Sequence, residues 1–293
     1  MMGLRTQFVH LYVKDLTDSA SGVFEDYGLY TQVEQLNKTA LKAHGVDPNG
    51  QLYKINSFEF YRYEDVIRLT TDPAYDQTAF EKHLEIKGNS DHSKLIKMLD
   101  VLNDESSSMD DELFVTYFDK ENIAYWMAFQ LLTGNTDTQN RNVYLYSPQN
   151  SSKWYLWDWD NDGMLRRRER EIINFSDSES WERGVSNYWG NVLFRRCLQT
   201  QSYRDMLDSA MKELYAYMNE ERIQSMMEHY RSVTEKYVWQ MPDRMNVPIT
   251  HDEYEEVLKS IWPEIDENYN YYWESYRKPM PFYIGKPQVV NGS

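Results

Sequence analysis

Several things are scarce in this chain, and each scarcity excludes something. Its 293 residues include a single cysteine, Cys197. Neither an intrachain disulfide nor a cysteine-built metal site can form from it. The neighbours L-F-R-R-C-L place that thiol on a buried helical face rather than at a reactive position. No apolar run approaches the ~20 residues of a membrane-spanning helix, and Met1 to Phe8 does not read as a signal peptide. Basic residues are in the minority, 31 Lys and Arg against 47 Asp and Glu, for a net charge of −16. That balance argues against a nucleic-acid surface, whose phosphates need clustered positive charge. It argues equally against adsorption to anionic lipid. Of the 6 histidines no pair has H-x-x-x-H spacing, which disfavours a zinc hydrolase. Neither G-x-S-x-G nor G-x-G-x-x-G occurs. Aromatics, by contrast, are plentiful: 24 Tyr and 9 Trp are too many for a disordered acidic protein.

The informative residues lie between Leu131 and Asp160. The stretch L-L-T-G-N-T-D-T-Q-N-R-N-V-Y-L-Y ends at Tyr146, and W-Y-L-W-D-W-D runs from Trp154 to Asp160. Asp137 and Asn142 have the D-x-x-x-x-N spacing of a protein-kinase catalytic loop. Asp158 follows at the end of a second strand-like run, where a kinase holds the metal-binding Asp of D-F-G. One short hairpin would bring a base, a carboxamide ligand and a carboxylate ligand into one cleft. Phosphoryl transfer needs that set, because its catalysis is mostly positioning and charge neutralisation.

The rest of the chain reads as a β-hairpin followed by a mainly helical body. Phe8 to Val13 and Gly28 to Val33 read as two half-buried strands joined by a polar connection. Asn37 to His44 reads as one to two turns of helix, stopped by Gly45 and D-P-N-G. Residues 72 to 100 read as polar and helical in parts, with a break at G-N-S-D, and Glu105 to Asp111 reads as a loop. Asp119 is placed to cap a helix over Lys120 to Leu132, with Glu121 in its first turn and Gly134 ending it. Val143 to Tyr146 and Lys153 to Trp159 read as short strands around a turn. Helical periodicity then covers Val192 to Leu198, Tyr203 to Met218, Glu221 to Val238 and Thr250 to Arg277.

With these residues in view, the chain resembles the CotH family of atypical protein kinases, known from spore coats and secreted bacterial proteins. The matching pieces are Y-G-L-Y-T-Q-V-E-Q-L-N-K-T-A-L (27–41), G-Q-L-Y-K (50–54), G-N-T-D-T-Q-N-R-N-V-Y-L-Y (134–146) and L-W-D-W-D (156–160), with the helical tail around Leu193 to Tyr203. The resemblance implies an α+β, atypical kinase-like fold and ATP-dependent phosphorylation of Ser or Thr in extracytoplasmic or spore coat proteins. It implies that Asp137 takes or orients the proton of the attacking hydroxyl. Asn142 and Asp158 would hold Mg²⁺ or Mn²⁺ against the nucleotide phosphates. Asp160 would be a further metal carboxylate, and Glu34 and Gln35 would lie near the adenine, after a strand entering the hinge between lobes.

The chain also departs from the family pattern. Members carry an R-G-x-S-like segment and a lysine before the hairpin, whereas only Met1 to Thr6 precede it here. The expectation is therefore a truncated small lobe over residues 1–36, a mainly helical catalytic lobe over 37–280, and a linker over 281–293 leading to a further domain of a longer protein. This chain alone is therefore expected to fold but to transfer phosphate weakly or not at all; were it active, Lys54 or the arginines at 166–168 would have to replace the missing phosphate clamp.

A rival reading uses the same carboxylates. Asp158 to Glu169 satisfies the calcium-loop pattern D-x-D-x-D-G-x5-E, against which stand the strand-like K-W-Y-L-W before it and three arginines within it. The competing function is thus a non-catalytic binding module on a kinase-like body, with or without a calcium or magnesium site at 158–169. Taken singly, Asp137 could be a solvated turn residue, Asn142 a strand-edge amide, and Asp160 a surface carboxylate.

Overall fold

The computed structural model describes residues 3–17, 22–166 and 188–276. Strands β1 (Thr6–Lys14) and β2 (Phe24–Val33) form an antiparallel hairpin, paired from Thr6↔Val33 to Lys14↔Phe24. The register slips between Leu11, opposite Gly28, and Tyr12, opposite Asp26. Tyr27 is therefore the extra residue of a bulge. Helix α1 (Lys38–Ala43) follows, capped by Asn37, whose side chain accepts from the Thr39 and Ala40 amides at 2.9 and 3.1 Å.

The second sheet is larger than the sequence suggests. Strands β3 (Gln51–Ile55), β4 (Leu84–Ile86), β5 (Val143–Ser147) and β6 (Tyr155–Asp158) lie in the order β4-β3-β5-β6, each pair antiparallel. The single embedded hairpin expected from the sequence is the β5–β6 half of this sheet. Its pleat separates two faces. Leu52, Tyr144, Tyr146 and Trp157 pack with Leu36, Ala40 and Leu41 beneath α1, forming a small core. Tyr53, Ile55, Val143, Leu145 and Leu156 face the main core.

That main core is built largely by helices. Helix α2 (Gln77–Glu81) and helix α3 (Ser93–Asn103) lie in the region read as partly helical, separated by β4. Met109–Tyr117 is a π-helical segment capped by Ser108, so the loop expected over Glu105 to Asp111 gives way to helix at Met109. Helix α4 (Lys120–Leu132) has the bounds and the Asp119 cap read from the sequence, Asp119 accepting from the Asn122 amide at 2.7 Å. Its Ile123, Trp126, Met127 and Leu131 are buried. Around it lie α5 (Val192–Gln199), which buries Cys197 as expected, and α6 (Gln201–Tyr217). Helices α7 (Glu220–Val238) and α8 (His251–Tyr276) complete the described chain. The hairpin rests on α7, with Phe8 edge-on to Tyr230 at 5.9 Å and His10 edge-on to Tyr237 at 4.7 Å. The linker expected over 281–293 lies outside the described residues.

Candidate active site

The site grows from the end of α4. Thr133 returns its hydroxyl to the Phe129 carbonyl at 2.8 Å, and Gly134 turns left-handed with φ +63°. A side chain at Gly134 would also press on Asn268, whose amide N–H bonds the Leu132 carbonyl at 3.0 Å. Residues 135–142 then cross the open end of the second sheet, fastened on several sides. Asn191 donates to the Gln139 carbonyl at 2.9 Å, Asn140 donates to Glu59 at 2.6 Å, and the Phe58 amide reaches the Asn140 carbonyl at 2.8 Å. Catalytic geometry benefits from such stapling, since small displacements degrade it steeply.

Asp137 lies on this loop. One of its oxygens accepts from the Asn142 side-chain amide at 2.8 Å and the other from Arg141 Nε at 2.8 Å. Asn142 sits at φ +57°, a left-handed conformation that asparagine tolerates better than most residues, and leads directly into β5. Spending its N–H on Asp137 leaves the carbonyl end of that amide to be offered elsewhere.

Asp158 closes β6 directly opposite Val143, so the β5–β6 ladder sets it beside Asn142 in space. It is buried, and burial raises its carboxyl above the ordinary carboxylate range. Asn161 at 2.5 Å and Gln130 at 2.8 Å donate to its two oxygens and offset part of that rise. A chain of amides joins the Asp137 backbone to the Asp158 carboxylate: Asp137 N–H to Asn135 Oδ1 at 3.2 Å, Asn135 Nδ2 to Asn161 Oδ1 at 3.3 Å, and Asn161 to Asp158. Gly163 seals the back of this chain, because a Cβ there would lie 2.9 Å from Asn135 Oδ1. Exposed Asp160, at φ +58°, has its carboxyl raised by partial burial and then by Asp162 and Asp137, with Lys54 opposing.

These residues and their order decide the family, because the sequence matches the CotH kinase protein family over residues 1–272. The chain belongs to the CotH kinase family. No curated protein matches it. Kinase-like function in general comes with that membership. In this CotH kinase chain the fold brings Asp137, Asn142 and Asp158 to one end of one sheet, with Asp160 at its rim.

Glu34 and Gln35 are placed differently. The Glu34 carboxylate is paired with the Arg5 guanidinium and with His44 Nε2 at 2.7 Å, which hold its carboxyl down at about 2. It fastens the foot of the hairpin to α1. Gln35 is exposed, and no hydrogen bond among the described residues joins either one to the Asp137 loop.

The calcium-loop reading loses its entering helix, since Asp158 ends a strand and its carboxylate is engaged by Gln130 and Asn161. Glu169, and the arginines after Arg166, lie outside the described residues. Sequence reasoning passed over Gln130, Asn135, Arg141, Asn161 and Gly163. Asn135 and Arg141 lie within the matched stretch 134–146, and Asn161 and Gly163 within the calcium-loop pattern 158–169, but no role was read for any of them.

Proposed function

We propose that this chain is a protein kinase of the CotH type, transferring the γ-phosphate of ATP to a Ser or Thr hydroxyl of a protein outside the cytoplasm or in a spore coat. The observation that carries the reading is the Asp137–Asn142 bond, with Asn142 set beside Asp158 by the β5–β6 ladder. The donor set is all oxygen, two carboxylates and a carboxamide, which suits a hard cation such as Mg²⁺ or Mn²⁺. The buried charge on Asp158 is also one that a cation would relieve.

Asn142 and Asp158 would hold that ion, with Asp160 as a further carboxylate at the rim. Mg²⁺·ATP supplies the phosphoryl group and the charge neutralisation its transfer needs. Asp137, oriented by Asn142 and Arg141, accepts the proton of the attacking hydroxyl. Glu34 and Gln35, on the segment that follows the hairpin, would border the base, Glu34 keeping its Arg5 and His44 partners. The extracytoplasmic setting follows from the family resemblance. Among the described residues no helix is long and apolar enough to cross a membrane.

The test is a separation of binding from transfer. Asp158→Ala abolishes divalent-dependent ATP binding in calorimetry. Asp137→Asn retains binding, while radiolabel transfer falls by ~10²- to 10⁴-fold. Unchanged Mg²⁺·ATP affinity in Asp158→Ala removes the metal assignment. Tight ATP binding without transfer to any protein, in wild type as in Asp137→Asn, would favour the non-catalytic module.

A further inference from the structure

Lys54 lies on β3, opposite Tyr144 of β5 and Glu85 of β4. Strand alternation puts it on the Leu52–Tyr144–Trp157 face, two residues beyond Leu52 toward the end of the sheet that carries Asn142. Its ammonium stands 5.6 Å from the centre of the Trp159 ring, and Trp159 packs edge-on to Tyr144 at 5.5 Å. The carboxylate across the ladder, Glu85, is taken by Lys87 at 2.5 Å. Lys54 therefore makes no ion pair among the described residues, although it is half-buried and borne on a strand rather than a loop. Trp159, the ring it faces, directly precedes Asp160 at the rim of the candidate site.

A half-withdrawn ammonium with three N–H donors and no anionic partner is poised for an anion from outside. Among the described residues, another cluster of charged groups is the opposite case. Glu235, His251 and Glu255 converge between α7 and α8, but Arg231 already bonds both glutamates, at 3.0 Å each. That cluster has its own cation.

We propose that Lys54 is the phosphate-binding cation of the nucleotide site, donating from the large-lobe sheet to a phosphate oxygen of the bound nucleotide. This rests on the kinase reading above. The strand fixes the amine beside the metal-ligand edge, so the triphosphate would be gripped by Lys54 on one side and by the Asn142–Asp158 ion on the other. A charge-assisted hydrogen bond to phosphate on a rigid element contributes both affinity and alignment.

The experiment compares wild type, Lys54→Met and Lys54→Arg in the full chain by calorimetry, with Mg²⁺·ATP and adenosine as probes and thermal melts alongside. Methionine keeps the apolar stem against Trp159 and removes only the charge. Expected is a ~10- to 100-fold loss of ATP affinity in Lys54→Met, unchanged adenosine binding, an unchanged melt, and substantial recovery in Lys54→Arg. If Lys54→Met binds ATP within about twofold of wild type, the proposal falls while the kinase reading stands. Equal losses for ATP and adenosine with an earlier melt would also overturn it, by showing a packing role. If wild type binds no nucleotide at all, the kinase reading fails and Lys54 with it.

Discussion

At Asp158 a carboxylate has been set where water barely reaches it, with 7 % of the residue exposed. The side-chain amides of Gln130 and Asn161 donate to it, and they do not cancel the penalty of burial. A charge held in this way is destabilising unless a cation joins it. Asp158→Asn should therefore separate function from stability. The new amide group can be met by rotating Gln130, whose Oε1 is buried without a partner. The expected melt is at or above the wild-type midpoint, about 2 °C higher for each kcal/mol relieved, with divalent-dependent ATP binding lost. A midpoint several degrees lower would make the carboxylate a structural anchor instead. Asp137, Asn142 and Asp158 were legible in the sequence because their spacing along the chain is itself the signal. Gln130, Asn135 and Asn161 were not. Amides occur throughout the chain, and these three acquire a role only when α4, the 135–142 loop and the turn after β6 come together. Lys54 was named from the sequence only as an alternative to the arginines at 166–168, since nothing in the sequence says that Lys87 takes Glu85.

The elements divide along similar lines. Helices with polar caps and an apolar face could be read closely: α4 matches in both bounds, and α5 to α8 agree within two residues at each described start. β3 and β4 could not be read as strands. Four of the five β3 residues are buried, so hydrophobic alternation has no solvent face to register, and β4 has three residues. The π-helical segment escaped for a different reason. Its bonds run from the Leu113 amide to the Ser108 carbonyl at 3.0 Å and from Phe118 to Leu113 at 2.9 Å, a spacing no 3.6-residue pattern anticipates. The hairpin was anticipated, but its second strand starts at Phe24 rather than Gly28, both strands are largely exposed rather than half-buried, and its anchorage was not read. Gly28 adopts φ +87°, and a Cβ there would lie 2.6 Å from Asp243 Oδ1, which accepts from the Leu29 amide at 3.0 Å. Glycine is thus needed both for the turn of the backbone and for the approach of Asp243. Gly28→Ala should cost about 1–3 kcal/mol in urea unfolding and speed hydrogen exchange at Leu29. Asp243→Ala should speed the same amide without the backbone strain. An unchanged Leu29 exchange rate in both variants would show that the hairpin is held to α7 by its aromatic contacts alone.

For the whole molecule, a net charge of −16 makes acid the informative perturbation. Two native groups set separate windows. Glu34, held at about 2 by Arg5 and His44 against an ordinary 4.5, gives stability that is present above 4.5 and lost as pH falls toward 2. His92 acts earlier. It is fully buried between the Tyr53 hydroxyl at 2.8 Å and the Tyr75 hydroxyl at 3.2 Å, stacked on Phe80 at 4.1 Å. Burial pushes its imidazole down to about 4. The unfolded chain takes up that proton near 6.5, while the folded chain stays neutral until about 4. Between those values the unfolded state binds more protons, so stability falls as pH falls, by up to about 1.4 kcal/mol per unit from this one group. Asp158, with its carboxyl raised, has the opposite sign and flattens the slope rather than imitating it. Urea midpoints should therefore decline from pH 6.5 to pH 5, above the Glu34 window. In His92→Gln the level of stability can change with the lost stacking, but the slope over that interval should largely vanish. A slope that persists undiminished in His92→Gln would assign the acid sensitivity to groups other than the buried imidazole.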